Sequence, residues 1–246
     1  MQNQAQGLQR LFSAHAAKLV SVLAGPSAMS GQDFLLALAA ELAGRGQRVL
    51  LVETVRGELS SRLGCRPLLP WRTSQPLDEQ VISAGAYGLL YAPGCKSGDA
   101  TFMSAAAASR NCDYLLFDGG RFSLREAPLV PLAQQTLVLW LGEGDAEAGY
   151  ALVKALKAAQ SPACILLAGD AEAANAVAQT AHQFLKHAQE QVKTGAGLYH
   201  IGNNCQETSS NTLTIGANLT WVVSRITQND QPKVAHGGSG KGAKEV

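Results

Sequence analysis

Short apolar runs alternate with longer stretches of helix-forming residues along most of the chain. Residues 18–24 (KLVSVLA) are rich in Val and Leu and close on Gly25-Pro26-Ser27, which predicts a buried strand feeding a loop. Residues 33–44 (DFLLALAAELAG) use strong helix formers with apolar residues on nearly every face, and they stop at Gly44-Arg45-Gly46, where a helix end is expected. Residues 48–53 (RVLLVE) read as a second buried strand, so the first part of the chain is a βαβ unit with parallel strands and a right-handed crossover. Further strands are predicted at 88–93, 113–118, 136–141, 163–168 and 197–202, with helices at 99–109, 146–159 and 171–193. Near-continuous apolar strands alternating with helices predict an α/β class, a doubly wound and mostly parallel sheet with helices on both faces.

The two ends follow other patterns. Residues 1–16 place Leu8, Leu11 and Phe12 at helical spacing, enough for one amphipathic interaction segment ahead of the domain at 17–227. Residues 228–246 are rich in Gly, Lys, Asp and Pro and read as a disordered tail. Between them, residues 213–227 set Ile215, Leu219, Val222, Val223 and Ile226 on one helical face, although their Val, Ile, Thr and Trp content also suits an edge strand. Arg225 is the one positive charge there, fewer than a membrane-surface helix carries, so packing against the domain is expected.

Composition narrows the possible chemistry. Across 246 residues, 20 Lys and Arg face 19 Asp and Glu, a formal net charge of +1, so no overall basic field gathers nucleic acid and any anion site has to be built locally. Hydrophobic residues make up 46%, enough for a real core, whereas aromatic residues at 6% favour closely packed helices. Cys65, Cys95, Cys112, Cys164 and Cys205 form no CxxC pair, which points away from a disulfide framework or zinc knuckle and towards a reducing, cytoplasmic setting. The start MQNQAQGLQRLF lacks the pattern of a signal peptide, and no apolar run reaches membrane-spanning length. His182 and His187, five residues apart, point to different faces of one helix and predict no metal pair. Ser27 and Ser30 have no histidine nearby and no G-x-S-x-G elbow, so cap or loop roles are expected.

In a doubly wound fold the loop from first strand to first helix is where phosphate is held, and here it runs Gly25-Pro26-Ser27-Ala28-Met29-Ser30-Gly31-Gln32-Asp33. A phosphate loop needs glycines for close backbone approach, a lysine and a hydroxyl for magnesium. This one has no cation, adds Asp33, and loses a backbone donor at Pro26.

The order of elements, the strand KLVSVLAG, the segment FLLALAAELAGRGQRVLLVE and the strand DYLLFDGG resemble the MinD/ParA class of deviant P-loop ATPases, over roughly residues 3–205. The opening Asn3-Gln4-Ala5-Gln6-Gly7-Leu8-Gln9 is similar to the D-Q-A-x-x-L-R segment of the flagellar-number regulators of that class, FlhG and FleN. Laid on the family's K-G-G-x-G-K-[ST] loop, Pro26 takes the place of the lysine that reaches a partner subunit, Gly31 that of the main phosphate lysine, and Gln32 that of the magnesium hydroxyl. Glu53, Thr54 and Val55 match the family's D-x-D, with one carboxylate kept. Asp118 keeps the position that helps hold magnesium, and Ala168-Gly169-Asp170 lacks both base-reading side chains. For Asp118 and Glu53 the plainer reading is a strand-end carboxylate that caps a turn.

The resemblance implies a MinD/ParA-type, P-loop NTPase-like fold stripped of hydrolysis, a pseudo-ATPase with no catalytic residue, metal or cofactor of its own, whose work is protein–protein interaction. It further implies docking of the first segment, through Gln4, Ala5, Leu8 and Gln9, on the flagellar SRP-type GTPase FlhF, in flagellar or other polar placement. Without a bridging triphosphate the chain is expected to be a monomer or a nucleotide-independent dimer. Two competing readings are a weak ATPase, in which Glu53 and Asp118 hold Mg²⁺ and Lys96 or Lys154 supplies the missing charge, and a cleft around Ser27 to Gln32 repurposed for another small ligand.

Overall fold

The computed structural model describes residues 17–28, 31–54, 58–65, 69–95, 103, 107, 112–122, 136–158, 164–189, 198–199, 219–220 and 222–227. Gln4, Ala5, Leu8, Gln9, Ser30, Val55 and Lys96, and the tail at 228–246, lie outside them. In chain order the elements are β1 (Lys18–Ala24), α1 (Gly31–Gly44), β2 (Val49–Glu53), α2 (Glu58–Arg62), a 3₁₀ turn (Leu77–Glu79), β3 (Ile82–Ala84) and β4 (Tyr87–Tyr91). They continue with β5 (Tyr114–Arg121), β6 (Thr136–Leu141), α3 (Ala146–Ala158), β7 (Cys164–Gly169), α4 (Ala171–Gln189) and β8 (Leu198–Tyr199).

The strands form one eight-stranded sheet in the order β3-β4-β2-β5-β1-β6-β7-β8. Every adjacent pair is parallel except β3 with β4. From β1 the chain crosses to β2 on one side, β5 returns to fill the gap, and β6 to β8 extend the other side. The loops leaving β1 and β6 therefore diverge at a switch point, where such folds open a crevice beyond the strands' carboxyl ends.

Because strand side chains alternate, each strand feeds two cores. Val49, Leu51, Tyr114 and Leu116 join Val20, Val22 and Ala24 beneath α1. Leu50, Val52, Leu115 and Phe117 point the other way, onto Met103 and Ala107, both helical. On the far side of β1, Leu137, Leu139 and Leu141 pack with Val153 and Leu156 of α3 and Val177 and Ala181 of α4. Residues 219–220 and 222–227 are helical rather than an edge strand, and Val222, Val223 and Ile226 are buried in the core that holds Phe34, Leu38 and Leu42. The apolar face of this segment is thus covered by the domain itself, and Lys18 Nζ donates to the Ile226 carbonyl at 3.3 Å. Among the described residues no helix is long and apolar enough to cross a membrane.

Several boundaries differ from the sequence pattern, β4 for instance running 87–91 instead of 88–93, and two of them shape the crevice. α1 runs from Gly31, two residues earlier than the pattern, and Gly31 sits against Ala24, where an added Cβ would approach the Ala24 Cβ to 2.6 Å. β5 continues through Gly119, Gly120 and Arg121 instead of ending at Asp118, since the strand stays paired with β1 across a register shift opposite Val22 to Ala24. The short α2 and β3 carry too few residues for periodicity to reveal.

The start of α1 is anchored by Phe34, fully buried and stacked on Trp140 with ring centroids 4.4 Å apart. Phe34→Ala should lose the stacking and leave a cavity, costing about 3–5 kcal/mol in denaturant unfolding.

Candidate functional site

The crevice at the switch point is built from the loop after β1, the starts of α1 and α2, and the ends of β2, β5 and β6. The loop after β1 is tied inward by its backbone. Gly25 N–H donates to the Trp140 carbonyl at 2.8 Å, and Ala28 N–H donates to the Gly25 carbonyl at 3.1 Å. Ser27 N–H donates to Asp145 Oδ1 at 2.9 Å. Pro26 has no N–H, so every described backbone donor from 25 to 28 already has a protein acceptor. Asp145, at the start of α3 and 2% exposed, also accepts the Gly142 N–H through Oδ2 at 2.8 Å. Neither Asp145 nor Gly142 stood out in the sequence. The run Gly142-Glu143-Gly144-Asp145 reads as an ordinary turn after a strand, and only the packing of β6 beside β1 brings it back onto the first loop.

A second cluster lies on the α1 side. Glu53 and Asp118 are register partners on β2 and β5, both buried. Glu53 Oε1 accepts the Leu59 N–H at 2.8 Å and the Ser60 N–H at 3.3 Å, holding the first turn of α2, while Glu53 Oε2 has no hydrogen-bond partner among the described residues. Asp118 Oδ1 accepts the Gly120 N–H at 3.0 Å, closing the irregular stretch of β5, and the Thr54 hydroxyl donates to the Asp118 carbonyl. Burial pushes the Asp118 carboxyl above its ordinary value of 3.8; the Gly120 bond lowers it and the neighbouring Glu53 raises it again. Gln32 Nε2 sits between two acids, 2.8 Å from Glu58 Oε2 and 3.4 Å from Asp118 Oδ2.

Beside this cluster opens a cavity of about 550 Å³ whose walls include Ala28, Gln32, Glu58, Arg62, Asp118 and Arg121. The sequence placed no cation in the loop, and the fold brings in two from elsewhere, Arg62 of α2 and Arg121 at the end of β5. Arg62 forms an ion pair with Asp33. Lys154 lies on the exposed face of α3 and is not part of the cavity. Ala168 and Gly169 end β7, and Asp170 Oδ1 accepts the Ala173 N–H at 2.8 Å, which makes it the cap of α4. Cys65, Cys95 and Cys112 are in no disulfide, and the described residues contain no cluster of His, Cys, Asp and Glu suited to a metal ion.

Three features of the described residues bear on magnesium nucleotide, the ligand of such a crevice in P-loop folds. The described N–H groups at 25–28 already have protein acceptors, no described lysine enters the cavity, and Gln32 presents an amide N–H to Glu58 and Asp118.

Asp118 has a directly testable consequence. Its folded value is raised, so the stability it contributes is full below the ordinary carboxyl value and is lost as pH rises through the raised one. Asp118→Asn should therefore gain stability relative to the parent as pH goes from about 4 to about 8, read from denaturant midpoints. A difference that is flat across that range would show that burial of this carboxylate carries no cost.

No protein-family model and no curated protein sequence matches the chain. Solved structures do. The MinD cell division protein of Aquifex aeolicus aligns at 14% identity over 88% of this chain and 99% of its own, with a TM-score of 0.54. The MinC:MinD cell division protein complex from the same organism gives 12% identity, 88% and 98% coverage, and a TM-score of 0.55. Cobyrinic acid a,c-diamide synthase of Mycobacterium smegmatis with bound ADP and magnesium gives 13% identity, 87% and 96% coverage, and 0.53. At such identities it is the fold that is shared: the chain has the mostly parallel α/β architecture of MinD-type P-loop NTPases.

Proposed function

We propose that the chain is a pseudo-ATPase, a MinD/ParA-type domain that neither hydrolyses ATP nor needs Mg²⁺ and works by binding another protein in the cytoplasm. One observation carries this: the described backbone donors at 25–28 are paired to the protein's own carbonyls and to the Asp145 carboxylate. Phosphoryl transfer rests almost wholly on positioning and electrostatic stabilisation, so a loop with no lysine, whose donors at 25–28 are paired within the protein, has little to contribute. A carboxylate near 4 Å from a phosphate charge opposes it by about 4 kcal/mol at a surface-like dielectric. The reading with Glu53 and Asp118 jointly holding Mg²⁺ is weakened because Glu53 spends one oxygen on α2 and does not line the cavity.

The partner proposed is a protein, the flagellar SRP-type GTPase FlhF, met through Gln4, Ala5, Leu8 and Gln9 in flagellar or other polar placement. The support is the resemblance of that segment to the flagellar-number regulators. A second reading, a cleft repurposed for a small polar ligand, is favoured by the 550 Å³ cavity and its balance of Arg62 and Arg121 against Glu58 and Asp118.

Two measurements test the proposal. In size-exclusion chromatography with light scattering, the mass should be the same with and without Mg²⁺ and ATP, and an ATP-dependent shift would overturn the pseudo-ATPase reading. Added to FlhF, the chain should accelerate GTP hydrolysis, and Gln4→Ala should abolish the effect. Equal stimulation by both proteins, or by neither, would remove this partner.

A further inference from the structure

We infer that the loop after β1 retains an anion site and that the chain fills it with its own Asp145 carboxylate. The geometry stands alone, while its meaning, a nucleotide cleft closed from within, rests on the pseudo-ATPase reading. Two N–H groups from separate loops, Ser27 and Gly142, converge on the two oxygens of one side chain, at 2.9 and 2.8 Å. That is how oriented backbone donors hold a small planar oxyanion. Asp145 is 2% exposed, and among the described residues no cationic side chain pairs with it. A buried carboxylate without a counter-charge is costly, so these amide bonds are what make its position tolerable.

The neighbouring glycines fit the same account. A Cβ at Gly25 would lie 2.0 Å from Asp145 Oδ2, in the space the carboxylate needs. A Cβ at Gly142 would meet Ser27 C at 2.7 Å and Ala28 N at 2.8 Å, so the turn reaches the loop backbone this closely only because Gly142 carries no side chain. An outside anion reaches the Ser27 N–H only if Asp145 leaves. The vacated space takes two oxygens in one plane, the shape of formate, and Pro26 leaves the loop one donor short for the longer wrap of a triphosphate.

The test is anion rescue. Asp145→Ala empties the site, and sodium formate is titrated against sodium chloride at matched ionic strength, with thermal midpoints and ¹⁵N–¹H amide spectra as readouts. Formate should raise the midpoint of Asp145→Ala saturably, with a dissociation constant of roughly millimolar or weaker for so small an anion. The Ser27 and Gly142 resonances should shift together with that constant. Wild type should not respond, and neither should Asp145→Asn, whose amide fills the space. If Asp145→Ala is unfolded without formate, recovery of its circular dichroism on adding formate is the rescue. Absence of any formate-specific effect on that variant, or an equal effect on wild type, overturns the assignment. Titrating Mg²⁺ and ATP into wild type separates the two ideas. ATP binding alongside intact formate rescue removes the pseudo-ATPase reading and keeps Asp145 in the site, whereas no ATP binding and no rescue does the reverse.

Discussion

A backbone N–H taken out of water must find an acceptor, and at the carboxyl edge of this sheet the choice of acceptor decides what the crevice can hold. In a doubly wound fold the loop after the first strand points its amides into that crevice, where an incoming anion is the natural partner. Here the partners are internal. Trp140 takes the Gly25 N–H, Gly25 takes that of Ala28, and the Asp145 carboxylate takes those of Ser27 and Gly142. The sheet order makes this possible, because β6 lies directly beside β1 and delivers the turn at 142–145 onto the loop.

The acidic side of the crevice follows the same logic. Two carboxylates on adjacent parallel strands repel unless something positive or protic stands between them and their neighbours. Gln32 supplies an amide N–H to Asp118 and Glu58, and the first turn of α2 supplies two backbone N–H groups to one oxygen of Glu53. The remaining Glu53 oxygen is unpartnered among the described residues and Asp118 is held above its ordinary range, so the cluster is compensated only in part. Two arginines balance the charge at its rim without entering it, one of them already paired with Asp33. What results is a cavity wall on which Arg62 and Arg121 match Glu58 and Asp118, with the buried Glu53 behind it held by α2.

Much of the fold was readable from the chain. Runs such as TLVLWL and VLLVE have no polar face, which only a strand buried on both sides tolerates, and helices between such strands require a parallel sheet. Glu53, Asp118 and Gln32 were readable as neighbours because they sit at strand ends and at a helix start, positions that topology brings together. Asp145, Arg62 and Arg121 were not. Each reaches the crevice through tertiary packing across 29 or more residues of sequence, as in the Arg62–Asp33 pair, and an Asp in a Gly-rich turn looks the same whether it caps its own helix or crosses to another loop. β5 running past Asp118 was hidden for a related reason, since Gly119-Gly120 signals a turn unless a neighbouring strand keeps it extended.

The account turns on whether the loop after β1 can still receive a triphosphate. Isothermal titration of the full chain with ATP, with and without Mg²⁺, asks this most directly. The account predicts no saturable heat under either condition up to about millimolar ATP, the range in which residual binding of a few contacts would end. Tight, Mg²⁺-dependent binding of one ATP per chain would contradict it.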